Sequence, residues 1–205
     1  MIFVSVRPPN LVRPNWVWCV TGHPARRQCG PVFLARFPTL LDSRRPRRFN
    51  GRVPLDKLTI IGAGLLGGSI GLAARARGLA KRVSALVRRP ESVAECQAIG
   101  IADEVTLDPA EAVADADLIV LCTPISGMAG LAKRTLPDLK PGAVITDAGS
   151  TKQQLVAELT PLCAGAGACF VGSHPMAGSD QTGPSAAQAN LFDDTVCVIT
   201  PTSNT

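Results

Sequence analysis

The sequence predicts an α/β fold, a doubly wound parallel sheet, over residues 56–205. Two observations predict it. From Leu58 onward, short apolar runs of strand character alternate with helical stretches of about 10–15 residues, the pattern of parallel strands joined by crossover helices. The first of those strands also runs into a glycine-rich turn, Gly62-Ala63-Gly64-Leu65-Leu66-Gly67, which opens the first helix. The chain has 205 residues and is 46% hydrophobic, enough for one ordinary domain with a packed core and a tail.

The elements follow in order. Residues 58–61 (LTII) are an apolar run ending in glycine, which reads as a buried strand. Residues 66–77, rich in Ala, Leu and Gly, read as a helix that Gly78 ends. Residues 82–87 form a second strand. Pro90 sits at the start of a helix that runs to Ile99 and closes on Gly100. Residues 103–105 lead into a short strand, and 109–114 are helical. Residues 117–122 (DLIVLC) are a buried strand, followed by a helix over 126–135. Pro141-Gly142 turns the chain into a strand over 143–146, and 151–163 is a helix. Residues 169–172 and 195–200 are the last strands.

Residues 1–55 are a different kind of sequence. They are rich in Arg and Pro, as in Arg44-Arg45-Pro46-Arg47-Arg48, and sustain no period of 2 or 3.6. Residues 1–50 hold nine Arg, no Lys and one acid, a net +8, whereas residues 51–205 hold twelve basic and fifteen acidic residues, a net −3. The basic balance therefore belongs to the extension, and no nucleic-acid partner is expected of the remainder. A disordered tail, or a start codon assigned too far upstream, is the favoured reading of 1–55. A transit peptide, which should be Ser-rich and amphipathic, and a basic arm for RNA are the alternatives. No apolar run approaches the roughly 20 residues of a bilayer span, so a transmembrane helix is excluded and no membrane partner is expected. Seven cysteines without a CxxC pair, and only two histidines, argue against a disulfide framework or a metal site and favour a reducing, cytoplasmic compartment.

The glycine turn carries the first chemistry. Between an apolar strand and an Ala-rich helix, it is the dinucleotide grip of a Rossmann-type domain. Gly62 permits the tight turn, Gly64 lets the backbone approach a pyrophosphate, and Gly67 lets the helix pack on the strand. The helix start that Leu65 and Leu66 open offers free N–H groups to the phosphates. NAD-type sites place an acid about 20 residues later, at the end of the second strand, to hold the ribose hydroxyl. Val87 stands near that position here, followed by Arg88 and Arg89. Two guanidiniums suit a 2′-phosphate, so the cofactor is NADP or NAD with NADP favoured. The alternative is that both arginines are solvated surface residues.

Three further segments each follow a strand: Leu121-Cys122-Thr123-Pro124, Thr146-Asp147-Ala148-Gly149-Ser150-Thr151-Lys152, and Gly172-Ser173-His174-Pro175-Met176-Ala177-Gly178-Ser179. Ligands of parallel sheets bind outside the carboxyl ends of the strands, where these segments lie. His174 is the only imidazole between residues 51 and 205, and an imidazole exchanges a proton near neutral pH. In order and spacing, residues 57–205 resemble the prephenate dehydrogenase family, which includes arogenate and cyclohexadienyl dehydrogenases. The GSHPMAGS segment is the most specific part of the resemblance, and residues 1–56 take no part in it.

The resemblance implies an oxidative decarboxylation of a cyclohexadienol, with hydride transfer to the nicotinamide. It implies His174 as the base or polariser at the 4-hydroxyl, with Ser150 supporting that contact. Cys122, Thr123 and Pro124 would border the nicotinamide. Lys152 would meet an anionic substrate or orient Asp147, with a surface role as the alternative, and Ser179 is a weaker candidate. The substrate would be prephenate or arogenate, in tyrosine biosynthesis. The family completes its site with a helical, dimerising second domain that supplies an arginine, and the sequence reaches Thr205 where that domain should begin. The expectation is therefore a fragment of a protein that is a homodimer at full length. Rival readings are a 3-hydroxyacid dehydrogenase, which lacks the His-Pro-Met-Ala-Gly segment, and a non-catalytic dinucleotide-binding module.

Overall fold

The structure, a computed structural model, describes residues 2–5 and 55–202, and all of them belong to one compact unit. Most of the expected N-terminal extension therefore lies outside the described residues. Its strand β1 (Ile2–Ser5) is described, and it pairs antiparallel with the last strand.

The remaining strands are β2 (Leu55–Ile61), β3 (Ala80–Leu86), β4 (Glu104–Thr106), β5 (Leu118–Leu121), β6 (Val144–Asp147), β7 (Cys169–Pro175) and β8 (Val196–Thr200). The helices are α1 (Leu65–Ala76), α2 (Pro90–Ile99), α3 (Pro109–Val113), α4 (Ile125–Thr135) and α5 (Gln153–Gly165), with short 3-10 turns at Leu136–Asp138 and Pro184–Ala186. The strands form one sheet in the order β1-β8-β7-β6-β5-β2-β3-β4. Pairing is parallel from β4 through β7, including β2 with β3 and with β5.

Each central strand feeds a core on both faces, because successive side chains alternate across a pleated strand. Leu58 and Ile60 of β2, Val83 and Ala85 of β3 and Val120 of β5 join Ala74 of α1 and Cys96 of α2 on one face. Ile61, Ile119, Leu121, Ile145 and Phe170 join Met128 of α4 and Leu155 and Leu159 of α5 on the other. The apolar runs read from the sequence as buried strands are these doubly covered ones.

The chain leaves β2 outward to β3 and β4, then returns to β5 on the other side of β2. That reversal opens a crevice at the carboxyl ends of β2 and β5, where a parallel sheet takes its ligand.

The sheet departs from the all-parallel expectation at β8, which runs antiparallel to β7. A parallel neighbour needs a crossover that carries the chain back along the sheet, usually a helix. Residues 176–195 contain only the turn Pro184–Ala186, so the chain re-enters the sheet from the end at which it left. Among the described residues no helix is long and apolar enough to cross a membrane.

Candidate functional site

The turn between β2 and α1 is shaped by three glycines with three different constraints. Gly62 has φ +97°, and a Cβ there would lie 2.8 Å from Cγ2 of Thr123. A Cβ on Gly67 would lie 2.0 Å from the Gly62 carbonyl oxygen and 2.9 Å from Ile60, so only glycine lets α1 sit this close to its strand. A Cβ on Gly64 would meet nothing within 4 Å. Space is therefore left over Gly64 alone, where a ligand would meet bare backbone. Gly64 caps α1 without a side-chain hydrogen bond, and the first turn, with half-buried Leu65 and Leu66, holds no acidic residue. The helix start thus keeps free donors and the positive end of its dipole.

A cleft of about 200 Å³ borders this turn, lined by Gly62, Ala63, Gly64, Val87, Arg88, Arg89, Ser92, Gly183 and Pro184. The fold thus brings the two arginines beside the glycine turn. Both are exposed, and neither makes an ion pair among the described residues. The features together fit a dinucleotide: bare backbone at a helix start for the pyrophosphate, and uncommitted cations at the end of β3.

On the other side of the crevice, residues 122–124 follow β5. Cβ of Cys122 lies 3.1 Å from where a Cβ of Gly67 would be, which wedges this segment against the turn. The Thr123 hydroxyl is buried and has no hydrogen-bond partner, as expected of a group that meets its partner on a ligand. Pro124 is exposed and caps α4. Burial, with the negative charge of Asp147 adding to it, pushes the Cys122 thiol up to about 12. Cys122 is then a neutral thiol at pH 8, and only the thiolate is a nucleophile. The folded chain should leave Cys122 unlabelled by iodoacetamide at pH 8, while guanidinium exposes it. Peptide mass spectrometry checks this, and prompt labelling of Cys122 in the folded chain would contradict it.

The catalytic candidates follow β6 and β7, which are parallel neighbours. Ser150 is exposed three residues past the end of β6. His174 is half-buried near the end of β7, opposite Val198 of β8. With Pro175, Met176, Ala177, Gly178, Leu191 and Thr195 it lines an open groove of about 500 Å³. Ser150 and Ser179 are not among the residues of that groove. Ser179 is exposed, and its hydroxyl accepts from the Gln181 N–H of its own loop at 3.1 Å. Lys152 pairs with the fully buried carboxylate of Asp147, so its ammonium is committed within the protein.

Several residues at the site carry no legible signal in the sequence. Ser92 is an ordinary helix serine by its neighbours. Gly183 and Pro184 lie outside every segment singled out in the sequence, yet they form a wall of this cleft. They are held there at a distance along the chain. The Gln188 N–H donates to the buried Ser69 hydroxyl at 2.9 Å, and Arg77 donates to the Ala189 carbonyl at 2.9 Å and pairs with Asp193. The glycine spacing of α1 offered a partial signal, because a Cβ on Gly68 would lie 2.7 Å from Ala187.

The family model described as "Prephenate dehydrogenase, nucleotide-binding domain" matches residues 70–205. Prephenate dehydrogenase of Lactococcus lactis subsp. cremoris is 38% identical over 151 residues, which are 73% of this chain and 42% of that relative. The crystal structure of Synechocystis arogenate dehydrogenase superimposes with a TM-score of 0.66 at 30% identity, over 72% of this chain and 50% of that one. That of prephenate dehydrogenase from A. aeolicus, in complex with hydroxyphenyl propionate and NAD+, superimposes with a TM-score of 0.66 at 30% identity, over 73% of this chain and 52% of that one. The chain thus spans about half the length, or less, of these relatives.

Proposed function

We propose, since the chain belongs to the prephenate dehydrogenase family and carries its nucleotide-binding domain, that it serves the oxidative decarboxylation of prephenate to 4-hydroxyphenylpyruvate in tyrosine biosynthesis. The observation that carries this reading is the common address of two features. The open glycine turn after β2 and the imidazole of His174 near the end of β7 stand at the same carboxyl edge of one parallel sheet.

A bound nicotinamide dinucleotide supplies the hydride acceptor for the ring carbon that bears the 4-hydroxyl. The backbone of Gly62 to Gly67 holds its phosphates, and Arg88 and Arg89 meet a 2′-phosphate. Thr123 and Pro124 border the nicotinamide, where the unpartnered Thr123 hydroxyl finds its acceptor or donor. His174 accepts a hydrogen bond from the 4-hydroxyl and takes its proton as the carbon gains ketone character. Ser150 steadies that contact. The ring carboxylate then departs as CO2, its bonding pair completes the aromatic ring as the carbonyl π pair moves to oxygen, and His174 returns the proton to that oxygen to give the phenol. A cytoplasmic homodimer is the setting this reading expects.

The second reading is arogenate in place of prephenate. The Synechocystis structure named arogenate dehydrogenase matches with the same TM-score as the A. aeolicus prephenate dehydrogenase. Prephenate and arogenate differ only in a keto against an amino side chain. The deciding assay gives the full-length protein each substrate with NAD and with NADP and follows the absorbance of the reduced nicotinamide. Turnover with prephenate is the expected result. Cofactor binding without turnover of either substrate would replace this reading by a non-catalytic dinucleotide-binding module.

The cofactor preference has its own test. NADP should bind more tightly than NAD, and the double substitution Arg88→Ala/Arg89→Ala should remove a preference worth about 1–3 kcal/mol, the scale of one or two charge-assisted hydrogen bonds. Calorimetric titration with both dinucleotides measures it. An unchanged NADP-to-NAD affinity ratio would assign both arginines to the solvated surface.

A further inference from the structure

The backbone ladder between β6 and β7 pairs Val144 with Cys169, Ile145 with Phe170 and Thr146 with Val171. Beyond that point the two strand ends lead toward Ser150 on one side and His174 on the other, and the ties between them are made by side chains. Asp147, the last residue of β6, is fully buried. Its Oδ2 accepts from the Gly149 N–H at 2.8 Å and from the Lys152 ammonium, and its Oδ1 accepts from the Ser173 N–H at 3.2 Å. Its own carbonyl oxygen accepts from the Ser173 hydroxyl at 2.5 Å. Thr146 adds a parallel tie, donating to the Val171 carbonyl at 2.7 Å and lying within hydrogen-bond distance, 3.1 Å, of the Ser173 hydroxyl.

One carboxylate therefore holds the residue before Ser150 and the residue before His174 at the same time. We infer that Asp147 is a positioning residue that sets the spacing between the Ser150 turn and the His174 strand end, with Lys152 as its counter-ion. The burial explains the lysine. A lone carboxylate in the core is strongly disfavoured, and the ammonium makes the clamp tenable. Gly172 makes room for it, since a Cβ there would lie 3.1 Å from Cδ of Lys152. Backbone N–H groups aimed at a fixed charge give a stiffer tie than a hydroxyl free to rotate, which suits two groups that must meet one substrate oxygen. The inference rests on the proposed roles of Ser150 and His174.

Its test uses Asp147→Asn and the charge-balanced double variant Asp147→Asn/Lys152→Gln in the full-length protein. Amide hydrogen exchange at Gly149 and Ser173 should speed up together by about tenfold or more in both variants, with Ile145 and Phe170 unchanged. Turnover should fall about 10–100-fold, while KM for the dinucleotide stays put. The double variant should recover the melting temperature lost in the single one without recovering kcat. Exchange at Gly149 and Ser173 left as slow as in the unsubstituted protein would overturn the clamp, as would a double variant that regains kcat along with stability. If the unsubstituted protein turns over neither prephenate nor arogenate, the functional reading fails, and the exchange experiment still decides whether Asp147 ties the two segments.

Discussion

Replacing His174 by asparagine in the full-length protein is expected to lower kcat by about 10²–10⁴-fold, the range of a lost general acid–base contribution. Asparagine retains a polar planar group of similar reach but cannot take a proton. The hydrogen bond to the 4-hydroxyl strengthens as the carbon becomes carbonyl-like, so its loss falls on kcat more than on KM. Dinucleotide affinity should hardly move, because the groups proposed to hold the phosphates lie at Gly62 to Gly67, in a cleft that does not include His174. A structural role predicts the reverse pattern: a lower melting temperature and weaker cofactor binding, with kcat spared. Within β7, His174 is half-buried between Ser173 and Pro175 and lines an open groove. The substitution should therefore be tolerated by the fold. Near-normal kcat in a stably folded variant would end the catalytic assignment.

Two alanine substitutions three residues apart, Gly67→Ala and Gly64→Ala, should fail in opposite ways. At Gly67 the new methyl would sit 2.0 Å from the Gly62 carbonyl oxygen and 2.9 Å from Ile60, so α1 must move off its strand. Overpacking of this kind costs about 1–3 kcal/mol or more, and a domain of this size loses about 2–4 °C of Tm per kcal/mol. A fall of several degrees in the apo protein is expected, with cofactor binding lost alongside. At Gly64 the backbone has φ −79°, which alanine adopts freely, and the methyl meets no protein atom within 4 Å. Apo stability should be unchanged. Dinucleotide affinity should still fall about 10–100-fold, because the methyl holds the pyrophosphate off its backbone donors, a loss on the scale of one hydrogen bond to a charged group. Thermal melts without ligand and calorimetric titrations on the two variants separate the cases. A Gly64→Ala protein that binds NAD(P) normally would remove the pyrophosphate from this turn.

Much of the fold was legible because its signals are local. Residues 90–99 were read as a helix from a proline at its first position and a glycine after it, and α2 has those bounds, with Gly100 in the left-handed conformation at φ +78°. The strand read at 117–122 appears as β5, Leu118–Leu121, since an apolar run covered on both faces has few other places to go. β2 begins at Leu55, three residues before the apolar run that announced it. Its opening residues include the charged Asp56 and Lys57; the buried Lys57 ammonium donates to the Ala114 carbonyl at 2.9 Å, and such a residue reads as loop when its distant partner is unseen. Among the candidate site residues, Gly62, Gly64 and Gly67 were legible from their spacing between an apolar strand and a helix. The commitment of Lys152 to Asp147 was left open beside an anion-binding role, because either partner suits an ammonium.

What the sequence by itself determined is what neighbouring residues dictate to one another: the alternation of strands and helices, the glycine turn, the arginines that follow Val87 at the end of the second strand, and the segments that follow each strand. What only the tertiary structure decided depends on groups far apart along the chain. Residues 176–195 carry no crossover helix before the antiparallel β8, and they are tied to α1 by the Gln188 N–H donating to the Ser69 hydroxyl over a separation of 119 residues. The tie from Asp147 to Ser173 spans 26 residues. Dihedral preference and hydrophobic period act over a few residues and can be read as a string. A buried charge or a close backbone approach is settled by which distant segment arrives to meet it, and only the packed sheet decides that.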